Sequence, residues 1–308
     1  MSAKTGIVFG LRVVALTLIM FLSYAGATVL SGTSGLSPAT SSPPLNTSAV
    51  LAASLVVSLL EAAVLAYVIL RSRWSGWKLV GAIFVAFYGL NTVVAQIESI
   101  VFLRHVLPAG MIPALFAMGA IAAGLFAPLA VLAMGKMRRP PAAQGSGRAR
   151  LSRRLVMPVG EWAWKLAVIA VAYIVLYFTF GYFVAWKSPA VRAYYGGADP
   201  GFFAQMAWIG ATTPWMFPLQ ACRAMLWTAC ALPVIRSHEG RAWEVALAVA
   251  MLFAVWSSQL LLPNPYMPQA VARAHLVETL ASNFIFGGLV GGLLSWRHAP
   301  ARIQDEQD

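Results

Sequence analysis

The chain has 308 residues, of which 60% are apolar and only 10% charged, and its net charge is +12. A soluble domain carries about 25% charged residues, so the composition excludes an ordinary soluble enzyme, a disordered chain and a coiled coil. It also argues against a nucleic-acid partner, because the positive residues do not gather on a solvated face. The expected class is all-α, a polytopic membrane bundle, since open sheets leave backbone groups unpaired in hydrocarbon.

Eight apolar runs are long enough to cross a bilayer, for which about 17–25 residues suffice. In chain order they cover Val13–Leu30, Ser48–Leu70, Leu79–Leu103, Ile112–Met134, Leu166–Trp186, Pro214–Ile235, Val245–Leu262 and Leu276–Trp296. The first follows Lys4 and Arg12 and contains Ala25-Gly26-Ala27, which resembles a signal-peptide cleavage site. Its spanning length favours an uncleaved first helix. The connection from Ser31 to Thr47 is rich in Ser, Thr, Gly and Pro, and Asn46-Thr47-Ser48 fits a glycosylation sequon. Between the fifth and sixth runs, Ser188 to Gly197 reads as a short helix ended by glycine, and Pro200 to Ile209 as an aromatic interfacial helix.

Charge sets the expected orientation. With the N-terminus in the cytoplasm, the inner side holds seventeen Lys and Arg, from Lys4 to Arg302, and the outer side four: Arg104, Lys187, Arg192 and Arg273. This is a strong positive-inside pattern and places both termini in the cytoplasm. The inner basic loops are expected to meet anionic lipid headgroups. Arginine outnumbers lysine 17 to 5, which suits a bacterial gene and an inner membrane. The chain reads as one membrane domain, 1–308, with a weak internal repeat. Arg71-Ser-Arg-Trp-Ser-Gly-Trp-Lys is similar to Arg236-Ser-His-Glu-Gly-Arg-Ala-Trp, which suggests halves 1–135 and 165–296 joined by a basic loop, 136–164. Cys222 and Cys230 would lie roughly 12 Å apart on one helix, beyond disulfide reach.

Ionisable residues inside a membrane are functional candidates by default. Those here are Glu61, Glu98, Arg223 and Glu278. In the third run Asn91, Thr92, Glu98, Ser99 and His105 fall within roughly 140° of a helical wheel, with Gln96 at the edge. In the eighth, His275, Glu278, Thr279, Ser282 and Asn283 share a similar arc. Ser54, Ser58 and Glu61 line one face of the second run, and Thr213, Gln220 and Arg223 one face of the sixth. Such stripes face protein or water rather than lipid, or act as interhelical glue, the role expected of Gln96, Gln259, Ser54 and Ser58. Depth along the helices suggests a polar cavity open to the outside and narrowing toward Glu61. Arg223 pairs with either Glu98 or Glu61. His275-x-x-Glu278 with Glu98 has the ligand types zinc accepts, but no metal or other cofactor is expected.

The leading functional expectation is transport of a small solute or ion, with proton linkage as one form of it, because a carboxyl removed from water holds a proton more readily. The alternatives are an intramembrane enzyme acting on a lipid-linked substrate, and a non-catalytic subunit or assembly factor. An open, hydrated cavity favours the first two readings, and a sealed polar cluster the third.

Overall fold

The computed structural model describes residues 3–33, 46–104, 107–138 and 154–296. His105, His298, most of the basic loop and the last twelve residues of the chain therefore lie outside the described residues. Among those described there are ten helices and no strand. Five are α1 (Ala3–Leu30), α2 (Thr47–Leu70), α3 (Gly76–Leu103), α4 (Met111–Ala133) and α5 (Val159–Phe180, prolonged by a π-helical turn, Gly181–Ala185). Two short helices come next, α6 (Pro189–Tyr195) and α7 (Phe202–Thr212). The last three are α8 (Met216–Ser237), α9 (Ala242–Val255, continued as a 3-10 segment Trp256–Leu261) and α10 (Gln269–Ser295).

Seven of these helices are long and apolar enough to cross a membrane: α1 to α5, α9 with its extension, and α10. The expected count was eight. The difference is α8, which has 22 residues and hence a length of about 33 Å, but is diluted by Gln220, Arg223, Thr228 and Arg236. It nevertheless runs the full height of its neighbours, from Phe217 against Phe178 of α5 to Ser237, whose carbonyl accepts from the Arg73 backbone N–H. Its polar residues Gln220, Arg223 and Thr228 are buried against protein, as polar groups at that depth require.

The helix ends obey local chemistry. Asn46 caps α2 by accepting from the Ser48 and Ala49 N–H groups, the role that asparagine fills best. Gly196 ends α6 with φ +72°, a left-handed conformation that glycine adopts without a Cβ clash. α5 and α10 begin about two turns before the apolar runs that announced them, because their first turns are amphipathic. Lys165 was expected as one of the inner-side cations, just after the basic loop, but it is a fully buried residue of α5. Its Nζ lies 2.6 Å from Glu161 Oε1 and donates to the Trp296 carbonyl at 3.0 Å.

One end of the bundle collects the basic residues. Lys136 Nζ donates to the carbonyls of Leu70 (3.2 Å) and Ser72 (2.7 Å), at the end of α2. Arg73 and Arg154 donate to the His238 carbonyl just past α8, and Arg71 pairs with Glu244 at the start of α9. Cations on the orphan carbonyls at helix C-termini are favourable, so these residues cap helices as well as carry the charge asymmetry. The two similar loop segments also meet here, with Ser72 and His238 forming an isolated antiparallel bridge.

Within lipid, close approach of small faces does much of the work of helix association. α1 packs on α2 and α4, and α3 on α4. In the second part of the chain α5 packs on α8 and α10, and α9 on α10. The two sets meet where α2 lies on α9 and α3 on α8. Phe87 fills the centre, stacked on Trp256 (5.2 Å between centroids) and edge-on to Phe126 and Tyr24. Gly287 and Gly291 press α10 onto the α9 backbone. A Cβ at Gly287 would lie 2.5 Å from the Val249 carbonyl oxygen, whereas one at Gly288 would have only Ala250 Cβ at 3.9 Å. Gly287→Ala is therefore expected to destabilise the protein by about 1–3 kcal/mol, the range for overpacking, and Gly288→Ala by less than about 0.5 kcal/mol. Thermal unfolding of both variants in one detergent checks the contrast.

Candidate functional site

A cavity of about 210 Å³ opens in the half of the bundle away from the basic end. Its walls come from α3 (Asn91, Glu98), α5 (Tyr173, Tyr177), α8 (Arg223, Trp227), the 3-10 segment after α9 (Trp256, Ser257, Gln259) and α10 (Glu278, Thr279, Ser282, Asn283). Three of these helices leave regular α geometry nearby. α3 carries π-helical stretches at Tyr88–Val93 and Ser99–Leu103, α5 ends in one, and α9 tightens to 3-10. π turns inside helices recur at functional sites, and irregular backbone at membrane depth is tolerated where it is buried or lines a cavity. A second cavity, of about 270 Å³, lies on the other side of Gln259 and Leu260, against Pro263–Met267.

Arg223 pairs with Glu98, not Glu61. Its Nη2 lies 2.7 Å from Glu98 Oε1, and its Nη1 donates to Gln220 Oε1 at 2.8 Å. The guanidinium carbon sits 5.6 and 5.9 Å from the ring centres of Tyr173 and Tyr177. The two charges are unequally placed: the Arg223 side chain is 5% exposed and that of Glu98 43%. Across the cavity His275 Nδ1 is 2.7 Å from Glu278 Oε2, and its Nε2 is 3.4 Å from the Tyr195 hydroxyl of α6.

Glu61 belongs to a second, connected cluster. It is fully buried. The Tyr24 hydroxyl donates to its Oε2 (2.7 Å), and Gln259 Nε2 donates to its Oε1 (2.7 Å) and to Tyr24 (2.9 Å). Asn91 Nδ2 also donates to the Tyr24 oxygen, at 2.8 Å. One hydroxyl thus gives its proton to the carboxyl and accepts two, which is the full capacity of a phenol oxygen. Among the described residues no Lys, Arg or His forms an ion pair with Glu61. Asn91 and Gln259 line the cavity as well, so they join the two clusters.

Of the residues singled out in the sequence, Asn91, Glu98, Arg223, Glu278 and Asn283 line the cavity, and His275 stands behind Glu278. Gln220 is fully buried and holds Arg223 from outside the cavity wall. Gln96 is not brought in, and its Oε1 is buried without a partner among the described residues. Thr92 turns into α4, where a Cβ on Gly119 would meet its Oγ1 at 2.0 Å. Glu98 is engaged by Arg223, and no three His, Cys, Asp or Glu among the described residues are grouped to hold a metal. Cys222 and Cys230 are free thiols. The sequence reading missed Tyr24, the aromatic walls and Ser257. Only the Tyr173/Tyr177 pair carried a signal, an i, i+4 spacing that puts both rings on one face.

No protein-family model matches this chain, and no curated protein or solved structure matches it.

Proposed function

We propose that the protein is a transporter for a small solute, linked to protons, built from two four-helix halves, α1–α4 and α5 with α8–α10. The halves reading rests on recurring contacts. The α1–α2, α1–α4 and α3–α4 packings have counterparts in α5–α8, α5–α10 and α9–α10, and the contact of α2 with α9 corresponds to that of α3 with α8. Each of these two junctions carries a polar connection, Gln259 to Glu61 and Arg223 to Glu98. Transporters with internal repeats place their solute and ion sites at such an interface.

The observation that carries the reading is the double role of Asn91 and Gln259. Both line the cavity and both hydrogen-bond the Tyr24–Glu61 pair. The Glu61 carboxyl is buried and is held by two neutral donors, Tyr24 and Gln259. Rearrangement of two amides would open it to the cavity, so solute occupancy and proton occupancy share the same side chains. The 43% exposure of Glu98 supports an open cavity over a sealed structural cluster. With the basic end inside, the cavity faces outward, in a bacterial inner membrane.

The test is proton movement in proteoliposomes holding a pH-sensitive dye, challenged from outside with cationic, anionic and neutral small solutes. Wild type is expected to move protons in response to one solute class, and Glu61→Gln to lower that movement at least tenfold. Absence of solute-dependent proton movement in wild type, or an unchanged Glu61→Gln, would sink the proposal.

A further inference from the structure

We infer that the solute taken by this cavity is a small organic cation, an ammonium compound with an apolar body. The inference rests on the transport reading for the cavity's purpose but not for its binding chemistry. The charges decide it. Arg223 is withdrawn: its side chain is 5% exposed, its terminal nitrogens are engaged by Glu98 and Gln220, and two tyrosine rings flank it. Glu98 is presented: its side chain is 43% exposed, with one oxygen on Arg223. Glu278 lines the cavity with its side chain 10% exposed and one oxygen engaged by His275. Each carboxylate has a second oxygen that no hydrogen bond takes up among the described residues, while the one guanidinium among the described residues of the wall has both terminal nitrogens engaged.

The sum gives the same sign. Arg223 offsets Glu98, which leaves Glu278 with His275 beside it. With both carboxylates ionised the wall carries one net negative charge when His275 is neutral and none when it is protonated, so an anion meets no excess positive charge there. The rest of the wall is aromatic, from Tyr173, Tyr177, Trp227 and Trp256. Aromatic faces attract cations through the ring quadrupole, Trp most strongly, and they pack apolar groups equally well. At the approach, Lys187 and Arg192 are both drawn to Asp199, which tempers the repulsion of an incoming cation. The volume of 210 Å³ equals about seven waters at ~30 Å³ each, the size of a ligand with roughly seven to ten non-hydrogen atoms.

Three compounds of one shape separate the possibilities: benzylamine, cationic at pH 7, neutral benzyl alcohol, and anionic benzoate. Binding to the purified full-length protein is read by calorimetry and by quenching of tryptophan fluorescence. The expected result is that benzylammonium binds at least tenfold tighter than either of the others. Glu278→Gln should weaken benzylammonium about tenfold and leave benzyl alcohol unchanged, the alcohol reporting that the pocket is intact. If Glu278→Gln does not fold, the preference of wild type among the three compounds decides. Benzoate binding as tightly as the amine, an alcohol of equal affinity, or a cation-to-alcohol ratio unchanged in Glu278→Gln would each overturn the inference. Uptake of tetramethylammonium, which does not cross lipid unaided, is measured separately in proteoliposomes. Cation binding without uptake leaves the inference standing and removes the transport reading. Proton-linked uptake of an anion without cation binding does the reverse.

Discussion

Glu98→Gln should destabilise the protein more than Arg223→Met, although the two substitutions break the same ion pair. Removing one partner of a buried pair costs about 3–5 kcal/mol, because the charge left behind is uncompensated. Here the remainders differ. Glu98→Gln strands a guanidinium whose side chain is 5% exposed, with only Gln220 and two tyrosine rings for company. Arg223→Met strands a carboxylate that is 43% exposed and that water can solvate. The expected costs are about 2–4 kcal/mol for the first, reduced from the fully buried case because part of the pair is screened, and about 1–2 kcal/mol for the second, mostly from the lost donor to Gln220. The double variant should resemble Arg223→Met alone, giving a coupling that a double-mutant cycle reads directly. Equal costs for the two single variants would mean that Arg223 reaches water by a route this structure does not contain.

The second large effect is an acid sensitivity at the basic end. His238 is 1% exposed, its ring lies 5.9 Å from Tyr67, and neither ring nitrogen has a hydrogen-bond partner among the described residues. Burial first, then the neighbouring Arg71 and Arg154, push its pKa down from 6.5 to about 4, against smaller upward pulls from Glu244 and Glu239. The unfolded chain therefore takes up this proton near pH 6.5, and the folded protein only near pH 4. Between those values unfolding binds a proton, so stability is full above about pH 6.5 and declines as the pH falls, by at most about 3 kcal/mol in total. His238→Phe keeps an aromatic ring beside Tyr67 and removes the titration. Unfolding midpoints between pH 7 and 4 should fall more steeply for wild type than for this variant, and parallel curves would rule the mechanism out.

The membrane class was legible because it rests on composition and run length, which need no knowledge of packing. The approximate positions of the long helices were legible for the same reason. The early turns of α5 and α10 were not, since amphipathic residues there dilute the apolar signal although they remain helical. Lys165 shows the mechanism: a lysine at the edge of an apolar run reads as one more inner-side cation, yet its buried position depends on Glu161 one turn back and on the Trp296 carbonyl, 131 residues away.

The cavity was partly legible. Charged residues in apolar runs stand out, so Glu98, Arg223, Glu278 and Glu61 were found. Which glutamate meets Arg223 was not, because that choice is made by α3 lying on α8 while α2 lies on α9. The wheel also failed locally. A π turn adds a residue and rotates the next turns of the chain relative to a regular helix, so the arc that joined Thr92 to Glu98 does not survive the stretch at Tyr88–Val93; Gln96 lies with Glu98 on the regular segment Val94–Glu98, at the edge of the arc, and falls outside the cavity. Tyr24 and the wall aromatics were invisible for a different reason. An aromatic residue in an apolar run looks like core until a partner for its polar atom is known.

The Tyr24–Glu61–Gln259 cluster also sets a problem of timing. Glu61 and Tyr24 are 37 residues apart, whereas Gln259 comes 198 residues after Glu61. At about 5–20 residues per second of synthesis, the carboxyl precedes its second donor by roughly 10–40 s. Of the two side chains that donate to Glu61, only Tyr24 is already made when the carboxyl is synthesised. The first helix is thus an internal escort for an acidic residue of the second, the partner present before any later helix can supply one.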